Sequence, residues 1–365
     1  MIGAGPAGSI AAMLLARGGW TVTLIEQHRF PRDKVCGECL SSLGIETLRR
    51  ARLLAKVQKL QPAVLARVSI HSARHREHTL NLPRPMWGLS RAALDESLLD
   101  AARQSGASVY QPARCEAWES NPLRIRVRHI ESNRIETFYP DGLLVADGKA
   151  NFDTSRRRPT HDFGIKAHFE NIDGPRDTID LFGCRGLYGG LAPIEGARWN
   201  AAFSVPVSRL REHRGDIQSL FSELTNQNRS LARRLAGARQ MSGWHAVPLP
   251  RFAVQTDWPA DVIPVGNAAA AIEPIGGEGM GLALRSAELA AQCLIQGNDV
   301  RRLKREFQRL WNMRRFACRT AALLVGSPLA SRLLLPLLDI APAIADVSLA
   351  LLGKRYRSPS TSEMV

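Results

Sequence analysis

The chain is poor in several features that would each point to a class of function. Six cysteines in 365 residues are too few and too scattered for a disulfide framework. The opening residues do not read as a secretory leader, so a reducing cytoplasm is the expectation. No apolar run is long enough to span a bilayer. The most apolar region, residues 321 to 352, is broken by Pro328, Arg332, Pro336, Asp339, Pro342 and Asp346, which argues against a spanning helix. Acidic residues are outnumbered, 34 against 49 basic, for a formal net charge of +15. Such a balance suits nucleic acid, an anionic membrane surface or an anionic cofactor. The basic residues are scattered, however, and the densest cluster, Arg156 to Arg158, is short. No aromatic-interleaved basic stripe is present, so no nucleic-acid partner is expected. There is no internal repeat, and no second C-x-x-C or paired-histidine motif that would complete a metal site.

What is present begins at once. The chain opens MIGAGPAGSIAAMLLARGGWTVTLIEQ. Gly3, Gly5 and Gly8 form G-x-G-x-x-G, the Ala- and Leu-rich run after them reads as a helix, and WTVTLIE reads as a strand ending in Glu26. This is the second half of a dinucleotide-binding β-α-β unit. Gly3 permits a tight turn, Gly5 lets backbone approach a pyrophosphate, and Gly8 lets helix and sheet pack closely. The helix N-terminus offers unpaired N–H groups to phosphate, and Glu26 can accept from a ribose diol. Only Met1 and Ile2 precede the glycines, so the first strand of the unit is expected to be truncated, with its neighbours' backbone groups left unpaired.

Further along, Leu94, Leu98, Leu99 and Ala102 recur at helical spacing behind a plausible N-cap, Ser90. Strand-like runs follow and end at Asp147-Gly148. Much later, Val262 to Val265 reads as a strand that meets Gly266. A Gly-rich loop around Pro274, Gly277 and Gly279 then opens a long helix, a second helix N-terminus offered to an electron-rich group.

On these motifs the chain resembles the FAD-dependent oxidoreductase superfamily with the p-hydroxybenzoate-hydroxylase-like fold, in the group of geranylgeranyl reductases and flavin-dependent monooxygenases. The resemblance rests on GAGPAGS, Glu26, R-x-x-L-D-x-x-L from Arg91 to Leu98, ADG at 146 to 148, and VGNAAAAIEPIGGEGMGLAL. It covers residues 1 to about 300. It implies that Gly3, Gly5, Gly8 and Glu26 hold the ADP half of FAD, with Arg91 near the phosphates or ribityl chain. Asp147 and Gly148 contact FAD, and in relatives help to position NAD(P)H. Gly266 and Asn267 reach the pyrophosphate and ribityl. Gly277, Gly279 and Met280 put a helix N-terminus by the flavin pyrimidine. Asn267 stands where the family usually carries Asp; its carbonyl oxygen still accepts, with one negative charge fewer.

The stretch PRDKVCGECL contains Cys36 and Cys39 as a C-x-x-C. Read alone it admits a redox dithiol, half of a metal site, or a loop beside another cofactor. The resemblance matches its K-x-C-G-E to a loop along the flavin, with Lys34, a neighbour able to lower the Cys36 pKa, and with Cys39 incidental.

The expected fold class is α/β, with a Rossmann-like FAD-binding domain, a smaller antiparallel-sheet substrate domain and a helical C-terminal tail. The domain expectation is 1–65, 88–155 and 245–300 for FAD, 66–87 and 156–244 for substrate, and 301–365 for the tail. Related reductases carry Y-x-W-x-F-P over the isoprenoid. Here the stretch is YGGLAP, so Tyr188 and Pro193 remain while Gly190 and Ala192 replace the aromatic positions. A widened pocket is expected, and with it a monooxygenase using NAD(P)H as transient reductant and hydroxylating an aromatic or lipid-like substrate. An isoprenoid-reducing enzyme and a non-catalytic FAD-binding protein are the alternatives. Cys36, Tyr188 and His168 are the catalytic candidates, the last two as phenol bases alongside His245. The basic helix after residue 300 raises a peripheral membrane contact for the tail, at the inner face of the membrane.

Overall fold

The computed structural model describes residues 1–72, 77–148, 162–250, 252–255, 257–259, 261–330 and 350. The arginine cluster at 156–158 and most of the proline-broken apolar run lie outside the described residues.

The first half of the chain runs α1 (Pro6–Arg17), β1 (Thr23–Ile25), β2 (Cys39–Leu40), α2 (Ser42–Arg50), α3 (Leu54–Gln58), β3 (Ala63–His71), β4 (Glu77–Gly88) and α4 (Arg91–Gln104). There follow β5 (Ser108–Tyr110), β6 (Ala113–Glu119), β7 (Arg124–His129), β8 (Ile135–Phe138) and β9 (Leu143–Val145). The second half runs β10 (Asp162–Glu170), β11 (Thr178–Cys184), β12 (Leu187–Pro193), β13 (Trp199–Pro206), α5 (Val207–Glu212), α6 (Ile217–Gln227) and α7 (Arg229–Leu235). It closes with β14 (Arg239–Gln240), β15 (His245–Pro248), β16 (Val262–Pro264), α8 (Gly279–Ile295) and α9 (Val300–Gly326).

A parallel sheet carries the opening motif. β1 pairs with β5 and β9 with β16, all parallel. Residues 1 to 3 lie between the two pairs, and Ile2 bridges both Ile25 and Val145. Gly3 N–H donates to Ile25 O and Ile25 N–H to Met1 O, while Ile2 N–H donates to Leu144 O and Ala146 N–H to Ile2 O, all at 2.7–3.0 Å. The unpaired neighbours expected of a short first strand are not found at these positions.

Helices cover one face of this sheet. Ile10 and Met13 of α1, Leu94 and Leu98 of α4, and Leu284 and Ala287 of α8 belong to one buried apolar cluster with Leu303, Phe307 and Trp311 of α9. The antiparallel β6–β7–β8 sheet covers the other face, where Ile125 and Val127 meet Ile2, Ile25 and Val145. The Ser90 N-cap is present, its Oγ accepting from Ala93 N–H at 3.2 Å.

A second, larger sheet runs β14-β10-β13-β12-β11-β3-β4-β2, with β15 also on β10. It is antiparallel except where β11 meets β3. α6 and α7 cover it through Phe221, Leu224 and Leu231, packed with Phe182, Trp199 and Phe203. Each such side chain contributes ~1.5–3 kcal/mol by leaving water. β2 and β15 join this sheet from segments on either side of the cofactor motifs, so its edges reach the cleft. Among the described residues no helix is long and apolar enough to cross a membrane.

Candidate functional site

The opening turn is built for backbone proximity. Gly3 has φ +90°, and a Cβ on it would sit 2.5 Å from Ala146 O. A Cβ on Gly8 would sit 1.8 Å from Gly3 O, so the first turn of α1 lies directly on the strand. Gly5 is the N-cap of α1 and no side chain caps it, which leaves the helix N–H groups to a phosphate. Glu26 is buried. Its Oε2 accepts from Ala4 N–H at 2.8 Å and its Oε1 from His28 N–H at 2.9 Å. A carboxylate has about four acceptor positions, so capacity remains for a ribose diol.

Arg91 is buried at the start of α4 and forks onto Asp95, with Nε–Oδ1 at 2.8 Å and Nη2–Oδ2 at 2.6 Å. Burial alone would lower its pKa; the Asp95 carboxylate outweighs that and raises it. The guanidinium stays charged and is held 3.7 Å from where a Gly5 Cβ would be.

A cleft enclosing about 1230 Å³ of empty space, counted out to open solvent, collects most of the sequence-derived cofactor residues. Gly5, Lys34, Arg91, Gly148, Gly266, Asn267, Gly277, Gly279 and Met280 line it, as does Cys36. Gly3, Gly8, Glu26 and Asp147 stand behind that lining. The Gly-rich loop turns at Gly277, φ +63°, where a Cβ would lie 2.9 Å from the Met86 methyl; α8 then starts at Gly279. Two helix N-termini and a buried acid around one cleft fit FAD. The lining also includes the apolar residues Val247, Pro248, Leu249, Pro250 and Phe252.

The catalytic candidates do not converge. Cys36 lines the cleft. Its Sγ accepts from Glu38 N–H at 3.4 Å, and Asn200 Nδ2 donates to its carbonyl at 3.0 Å. Cys39 is buried on β2 and donates to Gly37 O at 3.3 Å. Neither is in a disulfide. Tyr188 sits on β12, is not among the residues lining the cleft, and donates to Glu273 Oε1 at 2.7 Å. Burial and the Glu273 carboxylate push its pKa well above the ordinary phenol value. Glu273 Oε2 in turn accepts from Arg319 of α9 at 2.7 Å. His245 is exposed on β15.

His168 belongs to a ring that composition did not reveal, with Glu38, Lys166 and His168 buried and Asp33 exposed at its edge. Lys166 and His168 are two apart on β10 and so share a face. Lys166 Nζ lies 2.6 Å from Glu38 Oε1 and 3.1 Å from Asp33 Oδ1. His168 Nε2 lies 2.7 Å from Glu38 Oε2, and its Nδ1 4.0 Å from Asp33 Oδ1. Acid and base alternate around the ring. Glu38 Oε1 also accepts from Arg91 N–H at 2.8 Å, so one carboxylate ties the cofactor loop to α4 and to the larger sheet. Burial would raise the Glu38 pKa; the His168 hydrogen bond and Lys166 charge outweigh it and hold the carboxyl below its usual value. Asp33, Glu38 and His168 could present metal-ligand atoms, but the Lys166 ammonium already supplies positive charge to both carboxylates. The readable signal was a Lys and a His at i and i+2 in an otherwise apolar strand.

The widened pocket expected at Gly190 and Ala192 is not found. A Cβ on Gly190 would lie 2.7 Å from Asp180 O of the neighbouring strand, so the position faces β11, not open space. Ala192 is packed into a buried cluster with Cys39, Leu65, Leu82 and Met86.

Comparison with known proteins agrees with this geometry. The family model described as FAD binding domain matches residues 1–297. Conditioned medium factor receptor 1 of Dictyostelium discoideum is 25% identical over 344 residues, covering 85% of this chain and 66% of that protein. Menaquinone reductase of Mycolicibacterium smegmatis is 24% identical over 341 residues, 81% of this chain and 76% of the reductase. Kynurenine 3-monooxygenase of Xanthomonas oryzae pv. oryzae is 33% identical over 120 residues, 30% of this chain and 26% of the enzyme. In fold, the flavin-dependent brominase Bmp2 superposes with a TM-score of 0.80 at 17% identity, covering 97% of this chain and 92% of the brominase. A geranylgeranyl bacteriochlorophyll reductase-like protein of Thermoplasma acidophilum gives 0.73 at 18% identity, over 90% and 87%.

Proposed function

The chain belongs to the FAD-binding family whose model spans its first 297 residues, and on that premise we propose that it is an oxidoreductase carrying electrons from NAD(P)H through FAD to a double bond of a lipid-like, isoprenoid-class substrate. The observation that carries this reading is the placement of protonatable side chains. Hydroxylating a phenol calls for a base at the ring. Tyr188 and His168, the candidates for that task, are buried and engaged with Glu273 and Glu38. Saturating a double bond calls instead for an apolar wall and a proton donor. Val247, Pro248, Leu249, Pro250 and Phe252 share the cleft with the Cys36 thiol.

The chain's own residues then divide the work. The α1 N-terminus and Arg91 would hold the phosphates, Glu26 the adenosine ribose, Asn267 the ribityl chain, and the turn from Gly277 to Met280 the flavin ring. FAD, when bound, supplies two-electron transfer. Cys36 Sγ already accepts an N–H from Glu38, so its own S–H is free to donate a proton toward the cleft. The ring of Glu38, Lys166, His168 and Asp33 keeps that loop in place.

Similarity to menaquinone reductase across 81% of this chain supports the reductive reading. Monooxygenation of an aromatic or lipid-like substrate is the second reading, favoured by the kynurenine 3-monooxygenase match, which spans 30% of the chain. An anaerobic reoxidation experiment separates the two. Reduced, FAD-loaded protein mixed with isoprenoid lipids should recover oxidised-flavin absorbance without air. Recovery only when oxygen is admitted would reject the reductive reading.

A further inference from the structure

α9 has two unlike faces. Leu303, Phe307, Trp311, Cys318, Ala322 and Val325 are buried, and Trp311 reaches the cofactor cleft. The opposite side is exposed and divided along its length. At 3.6 residues per turn, Arg302, Arg305, Arg309, Met313, Phe316 and Leu323 fall on one arc of about 80°, under a quarter of the circumference. All six are exposed. The first half of the arc is basic. The second is apolar, with Met313 63%, Phe316 77% and Leu323 58% exposed. The helix carries eight basic side chains and a single carboxylate, Glu306, which is half-buried and pairs with Arg302 at 3.2 Å.

We infer that this face of α9 docks the protein on an anionic bilayer surface. Charge complementarity selects that occupant. Arginines can meet lipid phosphates, while Phe316, Met313 and Leu323 enter the boundary between headgroups and acyl chains. A nucleic acid would use the arginines and leave large apolar side chains in water, and such a patch on a monomer marks an interaction site.

The helix is also tied to the site. Arg319 donates to Glu273 at 2.7 Å and Arg314 Nε lies 4.0 Å from Glu278 Oε2. These two acids bracket the Gly-rich loop of the cleft. A bilayer on the outer face would lie about one helix diameter, ~10–12 Å, from the cleft that Trp311 lines.

The test is flotation of the FAD-loaded full chain with vesicles of phosphatidylcholine alone or mixed with phosphatidylglycerol, at low and high salt. The chain is expected to float with the anionic vesicles at low salt and to stay behind with neutral ones. A Met313→Ser/Phe316→Ser variant should lose roughly tenfold or more of its partitioning while keeping bound flavin and its circular dichroism. An Arg305→Gln/Arg309→Gln variant should lose about fivefold per arginine and show a weaker salt dependence. A chain that stays in solution with every vesicle would overturn the assignment. So would partitioning unchanged in Met313→Ser/Phe316→Ser. A dimer that the same variant converts to monomer would give the face to a second copy instead.

Discussion

Lys166 Nζ lies 2.6 Å from Glu38 Oε1, with both side chains fully buried. The pair joins the larger sheet to the loop beside the cofactor cleft, across 128 positions of sequence. A buried pair is costly to break from one side, because the remaining charge is left uncompensated. Lys166→Met should therefore destabilise the protein by about 3–5 kcal/mol, measured by urea denaturation. Adding Glu38→Gln should recover part of that loss.

The same ring sets a pH dependence. Glu38 and Asp33 are held below their ordinary values, so the folded state binds fewer protons than the unfolded one in that range. Their contribution is fully present above the unfolded carboxylate pKa of about 4 and is lost as pH falls through the lower folded values. Glu38→Gln should be less stable than the parent near neutrality, and the gap should start to close only below about pH 4 and close through the lower folded values. A stability gap that persists unchanged in acid would contradict this.

Glu26 fixes the phosphate turn through Ala4 N–H and keeps acceptor capacity for a ribose. Glu26→Gln retains one acceptor oxygen and places an amide NH₂ against Ala4 or His28. The loss of a charge-assisted bond, about 1.5–3 kcal/mol, should weaken FAD binding roughly 10- to 150-fold in a fluorescence titration.

Cys36 and Tyr188 separate the two functional readings. If Cys36 gives up the proton, Cys36→Ala should lower kcat by ~10²–10⁴ and leave FAD affinity nearly unchanged. Tyr188→Phe should cost about 1–3 kcal/mol of stability, by stripping a hydrogen bond from buried Glu273. It should change kcat by less than about tenfold. A collapse of kcat in Tyr188→Phe with stability intact would return Tyr188 to the role of base.

The cofactor half was legible because its signals are local. Gly3, Gly5, Gly8 and Glu26 act on one strand–turn–helix unit, at spacings that backbone geometry dictates. The ring around Glu38 was not, since Asp33 and Glu38 meet Lys166 and His168 only through a sheet assembled from distant segments. Gly190 misled for a related reason. Loss of an aromatic side chain reads as empty volume, but β11 sits where that side chain would point. The first strand also depended on partners. Residues 1 to 3 exchange hydrogen bonds with Ile25 on one side and with Leu144 and Ala146 on the other.

The most direct test of the central claim is the mass of the product. FAD-loaded protein, reduced and mixed with isoprenoid lipids, is analysed by mass spectrometry after incubation with and without air. The reductive reading expects a gain of two hydrogens that needs no oxygen. A gain of one oxygen, seen only in air, would contradict it.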